Sequence, residues 1–135
     1  MSNRLYDLGR QKFLEGSIHW LTDNIQCVLV DLDDYSPDFL TDEFLSAIPV
    51  GAIIATSGNF SGKDSTFGVA NASNVLLNTV TGHEFEAIVI FKWVTNAADS
   101  PLIGFIDTAT GLPTTPSGGD QLIIWDTGVN KIFKL

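Results

Sequence analysis

The chain has 135 residues, with 7 basic and 16 acidic side chains and a formal net charge of −9. Its length is typical of one domain whose core needs no metal to fold, and its single cysteine, Cys27, excludes an internal disulfide. The negative charge disfavours nucleic-acid binding because phosphates would be repelled, and no apolar run approaches the roughly 20 residues of a membrane-spanning helix.

The surface is predicted to be poor in charge. Charged residues make up 17% of the chain, against about 25% in ordinary globular domains, and the mean hydropathy is +0.20. This composition favours a protein that packs against others, although a β domain with a Ser/Thr/Asn-rich exterior would have it too. No Lys or Arg occurs between Phe13 and Gly62, so the acidic stretch Asp31–Glu43 has no basic residue near it in sequence. We expect this stretch to face solvent, to contact a basic surface of a partner or to bind a cation.

The N-terminal segment predicts a helix over Asn3–Glu15. Ser2 or Asn3 can cap it, its apolar residues recur at near-helical spacing, and Gly16 supplies a stop. Gly9 weakens this helix by about 1 kcal/mol relative to Ala. We therefore expect residues 1–16 to form a helical arm and residues 17–135 a single β-rich domain.

A second, short helix is predicted over Thr41–Ile48, ended by Pro49. The remaining segments are apolar or β-branched runs separated by Gly/Pro turns. The predicted strands are Ile25–Val30, Ala52–Thr56, Phe67–Ala70, Val75–Val80, Phe85–Val94, Leu102–Ile106, Leu122–Trp125 and Ile132–Leu135. In Phe85–Val94 we expect one face to carry Phe85, Ala87, Val89 and Phe91, and the other Ile88, Ile90 and Lys92.

Short strands at this spacing are typical of a sandwich or barrel. The predicted fold class is mostly β: an antiparallel β-sandwich or jelly-roll-like barrel with a short N-terminal helix.

Candidate catalytic and metal sites do not complete a known pattern. Gly58–Ser65 is similar to a phosphate-binding loop, but it has three residues between its glycines where that loop has four. Asp64 follows Lys63, at the position where the phosphate loop needs Ser or Thr. The acidic stretch Asp31–Tyr35 could begin a calcium-binding loop, which needs glycine at its sixth position and glutamate at its twelfth. Ser36 and Asp42 occupy these positions, so only an opportunistic cation site is left. Cys27 lies within an apolar strand pattern, which is typical of an inert thiol.

Other polar and aromatic residues have structural explanations. The two histidines, His19 and His83, lie far apart in sequence. Glu84 and Glu86 are neighbours on one strand face without any sign of a substrate cleft. We therefore predict no enzyme activity, no cofactor and no metal. A carbohydrate- or receptor-binding module would need exposed tryptophans, and the chain has three: Trp20, Trp93 and Trp125. Aromatic residues within strands more often belong to the core.

Several segments, at both ends of the chain and in its middle, have a familiar sequence: Asn3–Leu14, Ala55–Gly58, Gly62–Lys63, Gly68–Ala70, Ser100–Pro113, Gly118–Asp120 and Trp125–Leu135. Together they resemble a family of small proteins encoded by tailed bacteriophages. The family implies a structural component of the virion and brings no catalytic residues. The acidic stretch Asp31–Glu43 is the weakest match.

The resemblance and the composition together predict a capsid decoration (cement) protein that binds the major capsid protein and stabilises the phage head. A homo-oligomer is expected, with a trimer at local three-fold axes as one form. The predicted location is the virion, assembled in the host cytoplasm, and a tail, baseplate or neck component is the alternative. The N-terminal segment is the predicted docking element, through Arg4, Leu5, Tyr6, Arg10 and Phe13.

Overall fold

A computed structural model describes residues 2–135, which form nine strands and one α-helix besides short 3-10 helices. The elements in chain order are β1 (Arg4–Leu5), α1 (Asp7–Leu14), β2 (Ile25–Val30), β3 (Ile53–Thr56), β4 (Val69–Ala70), β5 (Val75–Leu77), β6 (Ala87–Lys92), β7 (Leu102–Ile106), β8 (Gln121–Ile123) and β9 (Phe133–Lys134).

The centre of the molecule is a five-stranded antiparallel sheet in the order β1-β7-β6-β2-β3. Cys27 on β2 lies opposite Ile90 on β6, and Ile90 lies opposite Gly104 on β7. Apart from Gln26 on β2 and Lys92 at the end of β6, the residues of β2 and β6 are buried on both faces, which explains why these strands are largely apolar and do not alternate with polar residues.

Each face of this sheet contributes to its own hydrophobic cluster. On one side, two two-stranded antiparallel ribbons, β4–β9 and β5–β8, pack over a cluster that includes Trp20, Phe60 and Trp125. On the other side, loop residues such as Tyr35, Leu45 and Ile48 cover the sheet. The fold is therefore mostly β, antiparallel and sandwich-like, with one helix near the N-terminus, which confirms the predicted fold class.

The predicted faces of β6 are confirmed within the strand. Ala87, Val89 and Phe91 join one cluster, whereas Ile88 and Ile90 join the other. Phe85 was predicted on the first face, but its side chain lies with Ile88 and Ile90. The alternation does not extend back to it because the strand begins at Ala87, and Phe85 instead makes an isolated bridge with Thr114.

The N-terminal segment, predicted as a helical arm over residues 1–16, is helical only over Asp7–Leu14, and Met1 lies outside the described residues. Arg4 and Leu5 form the edge strand β1, so the helix begins only at Asp7, and neither Ser2 nor Asn3 caps it. Tyr6 is completely buried, and α1 packs so closely on β7 that a Cβ on Gly9 would lie 2.5 Å from the carbonyl oxygen of Leu102. Removing this segment would open the core. Gly16, with φ of +76°, does follow the helix end as predicted.

Two of the predicted strands, Ile25–Val30 and Leu102–Ile106, have the predicted bounds, and the others are shorter. The predicted helix over Thr41–Ile48 is reduced to a 3-10 turn at Leu45–Ala47. Phe67 is outside β4, with a left-handed φ of 59°. None of the helices within residues 2–135 has the length and hydrophobicity to cross a bilayer.

Candidate functional site

A cleft of about 300 Å³ lies between β1, β7 and the C-terminal segment. Its apolar lining includes Leu5, Ile90, Gly104, Ile106, Ile132 and Phe133. Its polar lining is Asn3, Arg4, Arg10, Asn130 and Lys134. The fold thus brings together residues from the two ends of the chain, because β1 is an edge strand and the segment leading into β9 runs beside it.

The lining of the cleft is basic in a protein that is otherwise acidic. It includes three of the seven Lys and Arg side chains, Arg4, Arg10 and Lys134. Asp7 Oδ1 lies 3.3 Å from Arg4 Nη2 and 3.9 Å from Arg10 Nη1, and the Arg4 guanidinium stacks 4.5 Å from the ring centre of Phe39. Lys134 forms no ion pair with any residue from 2 to 135. Asp7 therefore offsets part of the charge of the two arginines, and the charge of Lys134 is not paired within the described residues.

The five predicted docking residues divide between this cleft and the core. Arg4, Leu5 and Arg10 line the cleft. Tyr6 cannot meet a partner, because it is fully buried and hydrogen-bonded to the hydroxyl of Tyr35. Phe13 is half-buried, and its ring centre lies 5.9 Å from that of Phe133.

Lys134 and its neighbours were missing from the sequence prediction. The alternating, apolar C-terminus indicated that this segment pairs with a sheet, but nothing in it indicated that it lies beside β1.

A second surface is the outer face of the β5–β8 ribbon. Leu76 lies directly opposite Leu122, and these two side chains are 53% and 55% exposed. Ile124, two residues beyond Leu122, is 68% exposed. The alternation places Val75 and Leu77 in the core and Leu76 in solvent. Both ends of the β8 segment are acidic, with Asp120 before it and Asp126 after it.

The acidic stretch contributes two members of a carboxylate cluster. The ligand oxygens of Asp31, Asp33 and Glu86 lie within 4.8 Å of one another. Glu86 Oε1 accepts a hydrogen bond from the Leu32 amide, and Asp31 Oδ1 accepts one from the Asp33 amide. Burial raises the pKa of Glu86, and the charges of Asp31, Asp33 and Glu84 act in the same direction. Asp31 and Asp33, which the sequence suggested for a cation site, thus lie together, and Glu86 joins them although the sequence did not suggest it for such a site. Asp31 and Glu86 accept backbone hydrogen bonds in the turn after β2.

The tryptophans do not form an exposed stacking platform. Trp20 and Trp125 are 6% and 7% exposed, and their indole N–H groups donate to the carbonyls of Asn71 and Ser73. Trp93 is half-buried and packs against the opposite cluster. A sugar ring would therefore find at most one partly accessible indole.

The remaining sequence candidates also have structural partners. Cys27 is fully buried, and this burial raises the pKa of its thiol to about 12. In the glycine-rich loop, Lys63 donates to the Asp23 carbonyl and to Asn59 Oδ1, while Phe60 is buried in the core. The loop is thus held by its own contacts.

No family model matches the chain, and no curated protein matches its sequence. The basic cleft and the ribbon face are therefore the features from which its function is inferred.

Proposed function

We propose that the chain is a structural protein of a tailed-phage virion, specifically a capsid decoration protein that binds the major capsid protein and stabilises the head. The observation that carries this proposal is the exposed apolar face of the β5–β8 ribbon, with Leu76 opposite Leu122 and Ile124 beside them. The resemblance of both chain ends to small tailed-phage proteins supports it.

The ribbon face suits a permanent contact. Complete burial of an exposed leucine or isoleucine side chain contributes roughly 1.5–3 kcal/mol, and Leu76, Leu122 and Ile124, which are 53%, 55% and 68% exposed, would each contribute part of that to an anchor. The face belongs to a ribbon whose strands are paired and whose inner side chains are buried, so its backbone is held in place before docking. Little conformational entropy would then be lost on binding.

The partner surface expected here is apolar with a basic rim. Asp120 and Asp126 flank the apolar patch, and the chain carries a net charge of −9. A second copy of this chain would bring like charges together at the same face, whereas a basic-rimmed shell protein would be complementary. Self-association into a trimer would then use other surfaces, with the shell supplying the symmetry.

The test is the copy number of this protein in purified phage particles, measured by quantitative mass spectrometry against the major capsid protein. A ratio near one, or another simple fraction of the shell count, is the result expected for a decoration protein. A handful of copies per particle would move it to the tail, baseplate or neck. Absence from the particles would refute the virion role.

The ribbon face is tested on particles that lack the protein. The variant Leu76→Ser/Leu122→Ser should lower shell occupancy at least tenfold at a fixed protein concentration. Its matched control is Leu14→Ser/Val50→Ser, which changes two side chains that are 90% and 87% exposed elsewhere on the chain. Equal occupancy for the two variants would rule out this face as the docking surface.

A further inference from the structure

We infer that the cleft between β1 and the C-terminal segment binds a short extended segment of a partner protein, in which one apolar side chain is flanked by carboxylates. This site is separate from the ribbon face. It does not depend on the partner's being a virion protein.

The shape and lining of the cleft select the apolar side chain. Its volume of about 300 Å³ is at the lower end of the usual range for ligand pockets, roughly 300–1,000 Å³. Leu5, Ile90, Ile132 and Phe133 line it. Gly104 has no side chain to occupy the cleft, and a Cβ there would lie only 3.3 Å from Leu5 Cδ2. One leucine-sized side chain fits such a space.

The charges around the cleft select the flanking groups. Arg10 is 52% exposed at its side chain and shares only a long contact of 3.9 Å with Asp7, and Lys134 makes no ion pair within residues 2–135. Arginine pairs well with carboxylates because its planar fork matches their geometry. A nucleic acid is a poor occupant, because the remaining surface of a protein of charge −9 would repel a long polyanion.

The sheet edge favours an extended segment. β1 is the outermost strand of the five-stranded sheet, and the Tyr6 amide donates to the Ile103 carbonyl of β7. Because hydrogen-bonding direction alternates along an antiparallel strand, the N–H and C=O of Leu5 face away from β7. An extended peptide can therefore add main-chain hydrogen bonds at this edge while its side chain enters the cleft.

The experiment is a titration of the isotope-labelled full chain, followed by NMR, with an acetylated and amidated pentapeptide of sequence Ser-Asp-Leu-Asp-Ser. The matched peptide carries Asn in place of both Asp residues. We expect shift changes centred on Leu5, Gly104 and Ile132, with affinity at least tenfold higher for the acidic peptide. Raising the salt concentration should reduce this difference.

The C-terminal segment offers a matched pair of variants. Lys134→Gln removes a charge from the cleft lining, whereas Lys131→Gln removes the same charge from a residue three positions away that does not line it. We expect Lys134→Gln to weaken binding of the acidic peptide at least threefold and Lys131→Gln to leave it unchanged. Equal effects of the two variants, equal binding of the two peptides, or no shift changes at the cleft would each overturn the inference. Because no phage particle is used, failure here leaves the virion proposal standing.

Discussion

The hydroxyl oxygens of Tyr6 and Tyr35 lie 2.8 Å apart in the interior, and Tyr35 in turn donates to Asp42 Oδ2 over 2.8 Å. Asp42 also accepts the backbone amide of Asp38. This chain of contacts joins the N-terminal segment to the acidic loop across one face of the sheet. The loop is thus attached to the core by a polar network.

Replacing Tyr35 with phenylalanine should cost more stability than replacing Tyr6. Tyr35→Phe leaves both the Tyr6 hydroxyl and Asp42 without this partner, and we expect a loss of about 1–3 kcal/mol in the free energy of unfolding. Tyr6→Phe leaves the Tyr35–Asp42 hydrogen bond intact, so a smaller loss of about 0.5–1.5 kcal/mol is expected. Urea denaturation of both variants measures the difference, and equal losses would contradict the network.

The same pair predicts a loss of stability at alkaline pH. Burial raises the pKa of both tyrosines, and the charge of Asp42 raises both further. The folded state therefore retains protons that the unfolded state releases near pH 10, so stability is complete below about pH 10 and falls as pH rises above it.

Tyrosinate absorbance during an alkaline titration reports this directly, because the chain has only two tyrosines. Both should ionise together with the loss of β-sheet circular dichroism. In Tyr35→Phe the absorbance change should halve. Ionisation of either tyrosine near pH 10 in the folded protein would show that the site is open to water.

Cys27 is predicted to be inert towards thiol reagents in the folded protein. Its side chain is fully buried, and burial raises the pKa of its thiol to about 12, so almost no thiolate is present at neutral pH. The rate of labelling should follow the rate of unfolding and rise sharply in denaturant. A control variant, Leu14→Cys, adds an exposed thiol at a position that is 90% exposed, and that thiol should react at once. Rapid labelling of the unaltered protein would contradict the packing around β2.

Gly9→Ala should destabilise the protein although alanine is the better helix former by about 1 kcal/mol. A Cβ at this position would lie 2.5 Å from the Leu102 carbonyl oxygen, so α1 would have to move off β7. We expect a net loss of about 1–3 kcal/mol, typical of overpacking. Gly51→Ala is the matched control, since a Cβ there meets no atom within 4 Å, and its effect should stay within about 0.5 kcal/mol. Calorimetry of the two variants decides between these effects.

The N-terminal segment shows where sequence patterns mislead. Leu5 and Leu8 have helical spacing, yet Arg4 and Leu5 form a strand because β7, from a distant part of the chain, pairs with this segment through backbone hydrogen bonds such as that from the Tyr6 amide to the Ile103 carbonyl. Helix propensity depends on the residues within the segment and does not include pairing with a distant strand. Arg4, Leu5 and Arg10 were identified as docking residues from the sequence, but their meeting with Lys134 depends on the same pairing.

The mostly β fold and the bounds of β2 and β7 were predictable from local pattern, because strands covered on both faces are largely apolar and stand out between turn residues. The sequence also predicted an inert environment for Cys27. Local pattern did not predict which of the neighbouring leucines, Leu76 or Leu77, faces solvent, nor where the two chain ends meet. Alternation along a strand assigns its side chains to two faces, but it does not predict which of these faces a second layer of the protein covers. That choice is made by contacts between segments far apart in the chain.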